Sequence, residues 1–269
     1  MNAITILATA RSRTALVVAL GLMATAACPA MGESLPMLQP AVGVWVGPEP
    51  TGPDDFAALA AMGVRTVVSV DGMPPDVETA RRSGLRYVHA PMGYDRVGPQ
   101  VTAVLTTLAH QEHAPLYVHC QHGKHRGPTA AVILCMAKGA LAHADAERFL
   151  QQAGTNPRYT GLWSAVRTFE PLNSTETVEL LPTAETRPLA LAMAQVSRAW
   201  DRVDQGDPSP EAIELLRQGF VESLRATDPE NTELYQSMRE AKKLVTGQED
   251  TWREKVGASC VACHTRWRD

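Results

Sequence analysis

From about Pro40 the chain alternates short β-branched runs with stretches of helical periodicity. Val42 to Gly47, Val64 to Val70, Leu85 to Ala90 and Leu116 to His119 are apolar, rich in valine and too short for helices, so they predict strands. Phe56 to Met62, Asp76 to Ser83 and Val101 to Gln111 lie between them, and Thr129 to Lys138, Ala144 to Gln152 and Leu162 to Phe169 follow; these predict helices. The alternation predicts an α/β domain over residues 40–170, a mainly parallel sheet with flanking helices. Ligands of such sheets gather beyond the carboxyl ends of the strands, and His119 and Cys120 stand at one such end.

Between Glu170 and Arg187 the chain turns to Pro, Thr, Glu, Ser and Asn with scattered Leu, a linker over residues 171–186. Helical spacing then returns in four groups, opening with Leu189, Met193, Val196, Trp200 and Val203 and closing with Trp252, Val256, Cys263 and Trp267. Asp207-Pro208-Ser209-Pro210 and Asp228-Pro229-Glu230 supply helix starts, and Thr246-Gly247-Gln248 supplies a stop. Short connections between amphipathic helices predict an all-α four-helix bundle over residues 187–269.

The 269 residues leave room for both cores, and a net charge of −4 without a long single-sign block gives no sign of a nucleic-acid surface. Arg11 and Arg13 precede an apolar run from Thr14 to Ala27. That run is about 14 residues, against roughly 20 for a bilayer span, so residues 1–27 read as a removable secretory leader. The expected location is therefore exported and periplasmic. Cleavage falls either after Ala24-Thr25-Ala26 or before Cys28, where Thr25-Ala26-Ala27-Cys28 loosely resembles a lipoprotein box and Cys28 would carry a lipid anchor. The leader and that lipid are the only membrane attachments implied.

The five cysteines do not form an evenly spread disulfide framework. Leu116-Tyr117-Val118 reads as a buried strand running into His119-Cys120-Gln121-His122-Gly123-Lys124-His125-Arg126-Gly127-Pro128, after which a helix begins. Amides of a loop between strand and helix, with the helix N-terminus, point at an oxyanion, and their field favours a thiolate at Cys120. The planar fork of Arg126 can hold two phosphoryl oxygens, and Gly123 lets the backbone turn close to a ligand. Cys135, several turns along the following helix, is out of reach of Cys120 and reads as a small buried residue.

These residues resemble the His-Cys-x-x-Gly-x-x-Arg signature of the tyrosine and dual-specificity phosphatase superfamily. Val44-Trp45-Val46-Gly47 and Gly63 to Val70 look like its early strands. The resemblance implies Cys120 as nucleophile, Arg126 as phosphoryl-binding cation and His119 as their companion. It implies Gln121, His122, Gly123, Lys124, His125 and Gly127 as the phosphate-binding loop, and a phosphorylated substrate. Family members also carry an acid upstream of the cysteine. Asp95 is the first choice, with a helix cap near Val101 as its alternative; Asp71 is the second, with a turn residue as its alternative. Lys124 is similar to a lysine of members acting on inositol phosphates. Where the family has Ser or Thr after the arginine this chain has Gly127, so either Thr129, His122 or His125 replaces the hydroxyl, or the loop binds an anion without efficient turnover.

Cys260-Val261-Ala262-Cys263-His264 has the spacing of c-type haem attachment, two thiols for the vinyl groups and a histidine for the iron. A redox dithiol or half a zinc site are the alternatives, and no further Cys or His stands in this domain to complete zinc. With Trp267 and Arg268 following, the segment from Val256 resembles the last helix of cytochromes c prime. That resemblance implies one covalent haem c on Cys260 and Cys263, His264 on the iron, and a sixth position facing the first helix, where Met193 is the candidate against a plain core role.

The leading expectation is an exported cysteine phosphatase fused to a c-type cytochrome, with redox control of a thiol as one coupling and a redox partner for the haem. An electron-transfer or gas-binding haem protein with an inactive oxyanion-binding domain is the second reading. Sulfur transfer through a Cys120 persulfide is the third.

Overall fold

The computed structural model describes residues 35–111, 115–171, 177–206, 209–228, 230–246 and 251–267. The leader, Cys28, the helix stop at Gly247-Gln248, Asp207-Pro208 and Arg268 lie outside the described residues. From residue 34 onward the chain is one compact unit.

Five strands form one sheet in the order β1 (Leu38–Ala41), β2 (Val44–Gly47), β5 (Leu116–His119), β3 (Thr66–Ser69), β4 (Arg86–His89). The first pair is antiparallel and the other three are parallel. The four predicted strands are β2 to β5; β1, with its Pro40 and only partly buried pattern, carries little of the strand signal. Helices α1 (Pro53–Ala61) and α2 (Val77–Arg82) belong to one face, where Phe56, Leu59, Val67, Tyr87 and Tyr117 form a core. Helices α3 (Pro99–Gln111), α4 (Arg126–Ala137), α5 (His143–Gln152) and α6 (Thr160–Arg167) cover the other, with Val46, Val68, Val118, Leu105, Ile133, Leu150 and Leu162. The period of two along each strand sends alternate residues to opposite cores, as Val46 and Tyr117 show. Helix α4 is apolar all round and buried from Arg126 to Met136, so it forms the centre of its layer.

Register places the site. Gly47 and Ser69 each pair with His119, and Ser69 pairs with His89. Four strands therefore end level, and the turns beginning at Pro48, Val70, Ala90 and Cys120 open at one edge.

Residues 177–186, within the predicted linker, are tied to the sheet: His89 N–H donates to Leu181 O at 2.9 Å and Ala184 N–H to His89 Nδ1 at 3.1 Å. Four helices follow, α7 (Pro188–Asp204), α8 (Pro210–Ala226), α9 (Thr232–Thr246) and α10 (Trp252–Trp267). Pro188 and Pro210 open two of them, and Ser209 caps α8 by accepting from Ala212 N at 3.2 Å. In close backbone contact α7 packs on α8, α8 on α9 and α9 on α10, around Val196, Leu216, Phe220, Ala241 and Val256. No helix among the described residues is long and apolar enough to cross a membrane.

A Cβ on Gly219 of α8 would stand 2.8 Å from Val196 Cγ2 and 3.2 Å from Val196 N, so the crossing with α7 needs glycine. Gly219→Val is expected to cost about 1–3 kcal/mol by overpacking, read as a lower midpoint in urea unfolding.

Candidate functional site

The loop from Cys120 to His125 joins β5 to α4, with Cys120 and Arg126 buried. Gly123 has φ +70°, and its missing side chain lies against the Gly47-Pro48 backbone, so only glycine allows the loop to press on the end of β2. The loop is fixed from three directions. Glu49 N–H donates to Gln121 O at 3.1 Å. Thr155 Oγ1 donates to Lys124 O at 2.8 Å, and Asn156 N–H to His125 Nδ1 at 3.3 Å, both from the turn between α5 and α6. From α7, one carboxylate oxygen of Asp201 meets Gln121 Nε2 at 2.7 Å and His122 Nε2 at 2.8 Å. The Lys124 side chain is exposed.

Arg126 is the cation of the site. Its Nη2 donates to Asp71 Oδ2 at 2.6 Å and its Nη1 to Met92 O at 3.4 Å, while the Tyr94 ring lies 4.7 Å from its guanidinium carbon. Its buried Nε has no hydrogen-bond partner among the described residues. A buried donor on a charged group is costly to leave unmade, so this one is poised for a ligand oxygen.

Asp71 is fully buried and accepts four bonds: from Arg126 Nη2, from Arg198 Nη1 of α7 at 3.2 Å, and from the amides of Met73 and Gln121 at 3.0 and 3.2 Å. Burial alone would raise its pKa, but the two arginines outweigh it and hold the carboxyl down to about 2. Asp71 is therefore an anion at neutral pH and supplies no proton, which sets aside the second-choice acid. Glu49 receives Arg198 Nη2 at 2.5 Å, and burial nonetheless pushes its pKa up.

Asp95 lies between β4 and α3, on the segment whose Met92 and Tyr94 touch Arg126. Its backbone occupies the space a side chain at Gly161 would need, so the start of α6 fixes it. Its half-exposed carboxylate pairs with Arg96 at 3.5 Å. Tyr94, His125 and Tyr159 form an aromatic cluster on this side, with Tyr94 and Tyr159 centroids 4.5 Å apart.

His119 is fully buried and bonds Tyr87 Oη through Nε2 at 2.7 Å. Burial drives its pKa to about 4, so it is neutral. A Cβ on Gly127 would stand 3.1 Å from Cys120 N and 3.3 Å from His119 C, so glycine lets α4 start hard against the loop. Thr129 Oγ1 donates to His125 O at 3.0 Å, back along its own helix, and so supplies no hydroxyl to Cys120 in place of Ser or Thr. Cys135 is buried and unpaired, and burial pushes its thiol up to about 12.

In the helical region Cys260, Cys263 and His264 of α10 line a cavity of about 180 Å³ together with Met193 and Trp200 of α7 and Met238 of α9. The motif and the proposed sixth ligand thus share one largely apolar space. Trp267 Nε1 is buried without a partner among the described residues. Two thiols, an imidazole and two thioethers in the cavity are groups a covalent haem would use, and in kind the residues fit. Pockets for drug-sized ligands run to roughly 300–1,000 Å³, so a porphyrin needs this space to widen. No cluster of three or more His, Cys, Asp or Glu placed for a metal ion occurs among the described residues, so the half zinc site stays incomplete.

A nucleophile-bearing loop at a strand end, closed by a buried arginine at a helix start, defines a cysteine-dependent phosphatase-like domain. The chain belongs to the family described as the Swiss Army Knife protein, DSP-PTPase phosphatase domain, whose model matches residues 39–179. No curated protein matches. Among solved structures it is similar to TpbA of P. aeruginosa, at 24% identity over 49% of this chain and 82% of that one, with a TM-score of 0.41. The core catalytic domain of the PP-IP phosphatase SIW14 from S. cerevisiae follows at 10% identity, 50% and 85% coverage and a TM-score of 0.43. Human DUSP28 matches at 19% identity, 51% and 95% coverage and a TM-score of 0.37.

His119 and Asp71 each make a distinct contribution to the pH behaviour, and buried His89, its pKa also lowered by burial, adds to the first. His119 has its folded pKa below the unfolded value of about 6.5, so the unfolded chain binds the extra proton. Stability is full above about pH 6.5 and falls as pH drops toward 4, by up to about 3 kcal/mol from this residue. Asp71 acts at lower pH: its contribution is present above about 3.9 and is lost as pH falls through about 2. Urea unfolding between pH 7 and 4.5 is expected to show the first loss, and His119→Gln to lessen it. Asp71→Asn, which leaves buried Arg126 without its counter-ion while Arg198 keeps Glu49, is expected to cost about 3–5 kcal/mol at pH 7.

Proposed function

We propose that this protein hydrolyses phosphomonoesters through a phosphocysteine at Cys120. The observation that carries the reading is Arg126, buried where α4 leaves the Cys120 loop, pinned on one side by Asp71 and with an Nε that has no partner among the described residues. The phosphoryl group takes that Nε and the loop amides. The Cys120 thiolate attacks phosphorus, the bond to the leaving oxygen breaks, and Asp95 gives that oxygen its proton. Water then attacks the phosphocysteine, the S–P bond breaks, Asp95 takes the water's proton, and phosphate leaves. In this scheme Asp71 orients Arg126, and His119 supports the loop through Tyr87.

With Gly127 in the hydroxyl position and the Thr129 hydroxyl given to His125 O, neither of these positions supplies a donor to the departing sulfur. Phosphoenzyme is therefore expected to accumulate. Rapid-mixing assays with an aryl phosphate should give a burst approaching one equivalent, then slower vanadate-sensitive turnover, and Cys120→Ser should abolish both. Absence of turnover, alongside thiosulfate sulfurtransferase activity that depends on Cys120, would instead favour the persulfide reading.

We propose further that the helical region is a cytochrome of c type, carried by the convergence of Cys260, Cys263, His264 and Met193 on one cavity. Bound there, a haem would supply one-electron or gas-binding chemistry. Cys260 and Cys263 would hold it, and His264 and Met193 would be its candidate iron ligands. Attachment of such haems outside the cytoplasm agrees with reading residues 1–27 as a leader. Protein matured with c-type haem machinery is expected to keep a visible absorption band after acid-acetone extraction and to gain the mass of one haem. Cys260→Ser/Cys263→Ser should lose both, and Met193→Ala should shift the reduced spectrum if Met193 is the sixth ligand.

A further inference from the structure

We propose that Asp201, assisted by Arg198, is a positioning residue of the phosphate loop, so that the helical region completes the phosphatase site. This rests on the phosphatase reading above. Asp201 and Arg198 stand three residues apart and share one face of α7. The same face brings Ala190 and Ala194 against Gly72, where a Cβ would stand 3.0 Å from Ala190 O. The helix thus meets the strand-end edge of the α/β domain along its length.

The contacts close a ring. Arg198 reaches Asp71 and Glu49; Asp71 takes the Gln121 amide and Arg126; Glu49 N–H donates to Gln121 O; and Gln121 and His122 return to α7 through Asp201. The later half of the loop is tied by Thr155 and Asn156, from within the α/β domain. In the earlier half, the side chains of Gln121 and His122 bond to Asp201, 80 and 79 residues away. The path of the loop through Gln121 and His122 is thereby held from outside the phosphatase fold.

Pre-set donors act most strongly on the transition state, and small misplacements cost up to about 100-fold in rate. In the haem-loaded full chain, Asp201→Ala is expected to lower kcat about 10-fold or more with KM changed less than about threefold. Vanadate inhibition should weaken by the same factor. Asp201→Asn keeps an acceptor oxygen for Gln121 and should recover most of the loss. Asp204→Ala, an exposed neighbour on the same helix, should change neither constant. If Asp201 acts through Gln121, then Gln121→Ala/Asp201→Ala should be no slower than the slower single variant.

Asp201→Ala with wild-type kcat and vanadate inhibition would overturn the inference. A loss that Asp201→Asn does not recover, and that tracks a lower unfolding midpoint, would reassign Asp201 to fold maintenance and overturn it as well. A wild type lacking Cys120-dependent turnover would sink the phosphatase reading itself, and this inference with it.

Discussion

The buried carboxylate of Asp71 holds the site together. A fully buried anion is tolerable only when it is paired and hydrogen-bonded, and Asp71 meets that condition with two arginines and two amides. Each partner belongs to a different part of the chain. Arg126 begins α4, Arg198 comes from the helical region, Gln121 is in the loop, and Met73 follows Asp71 in its own turn. His89 adds a further tie: its Nδ1 accepts from Ala184, which leaves Nε2 to donate to Asp71 O at 2.9 Å. One ionised group therefore fixes the relative positions of a strand end, a catalytic loop, a helix start and a helix of the second region.

Such a hub depends on the sheet's register. Because β2, β5, β3 and β4 end level, Glu49, Asp71, Cys120 and the segment before Asp95 emerge at one edge without long loops to carry them. The apolar central helix contributes differently. Its burial along nearly its whole length, with glycine at 127, holds its N-terminus tight against Cys120, where its dipole and free amides favour negative charge.

Much of this was legible in the sequence. Among the described residues, four of five strands and all ten helices follow from periodicity, since valine-rich runs and amphipathic spacing are local signals that packing reinforced. The loop was legible because its chemistry is contiguous, seven residues from Cys120 to Arg126. What could not be read was long-range. Arg198 and Asp201 look like the solvated face of an amphipathic helix, and only the three-residue spacing of opposite charges hinted that they share a side. Asp71 read as a turn residue or an acid because its partners lie 55 and 127 residues away. Residues 177–186, polar and proline-punctuated, read as a spacer, and hydrogen bonds to the edge strand β4 are invisible to composition.

Helix α7 has no idle side. Ala190, Ala194, Arg198 and Asp201 face the α/β domain, while Met193, Val196, Ser197 and Trp200 line the cavity that Cys260, Cys263 and His264 share. A helix that borders both sites ties them by linkage: if a guest in the cavity changes the loop's affinity for an anion by some factor, an anion in the loop changes the cavity's affinity for that guest by the same factor.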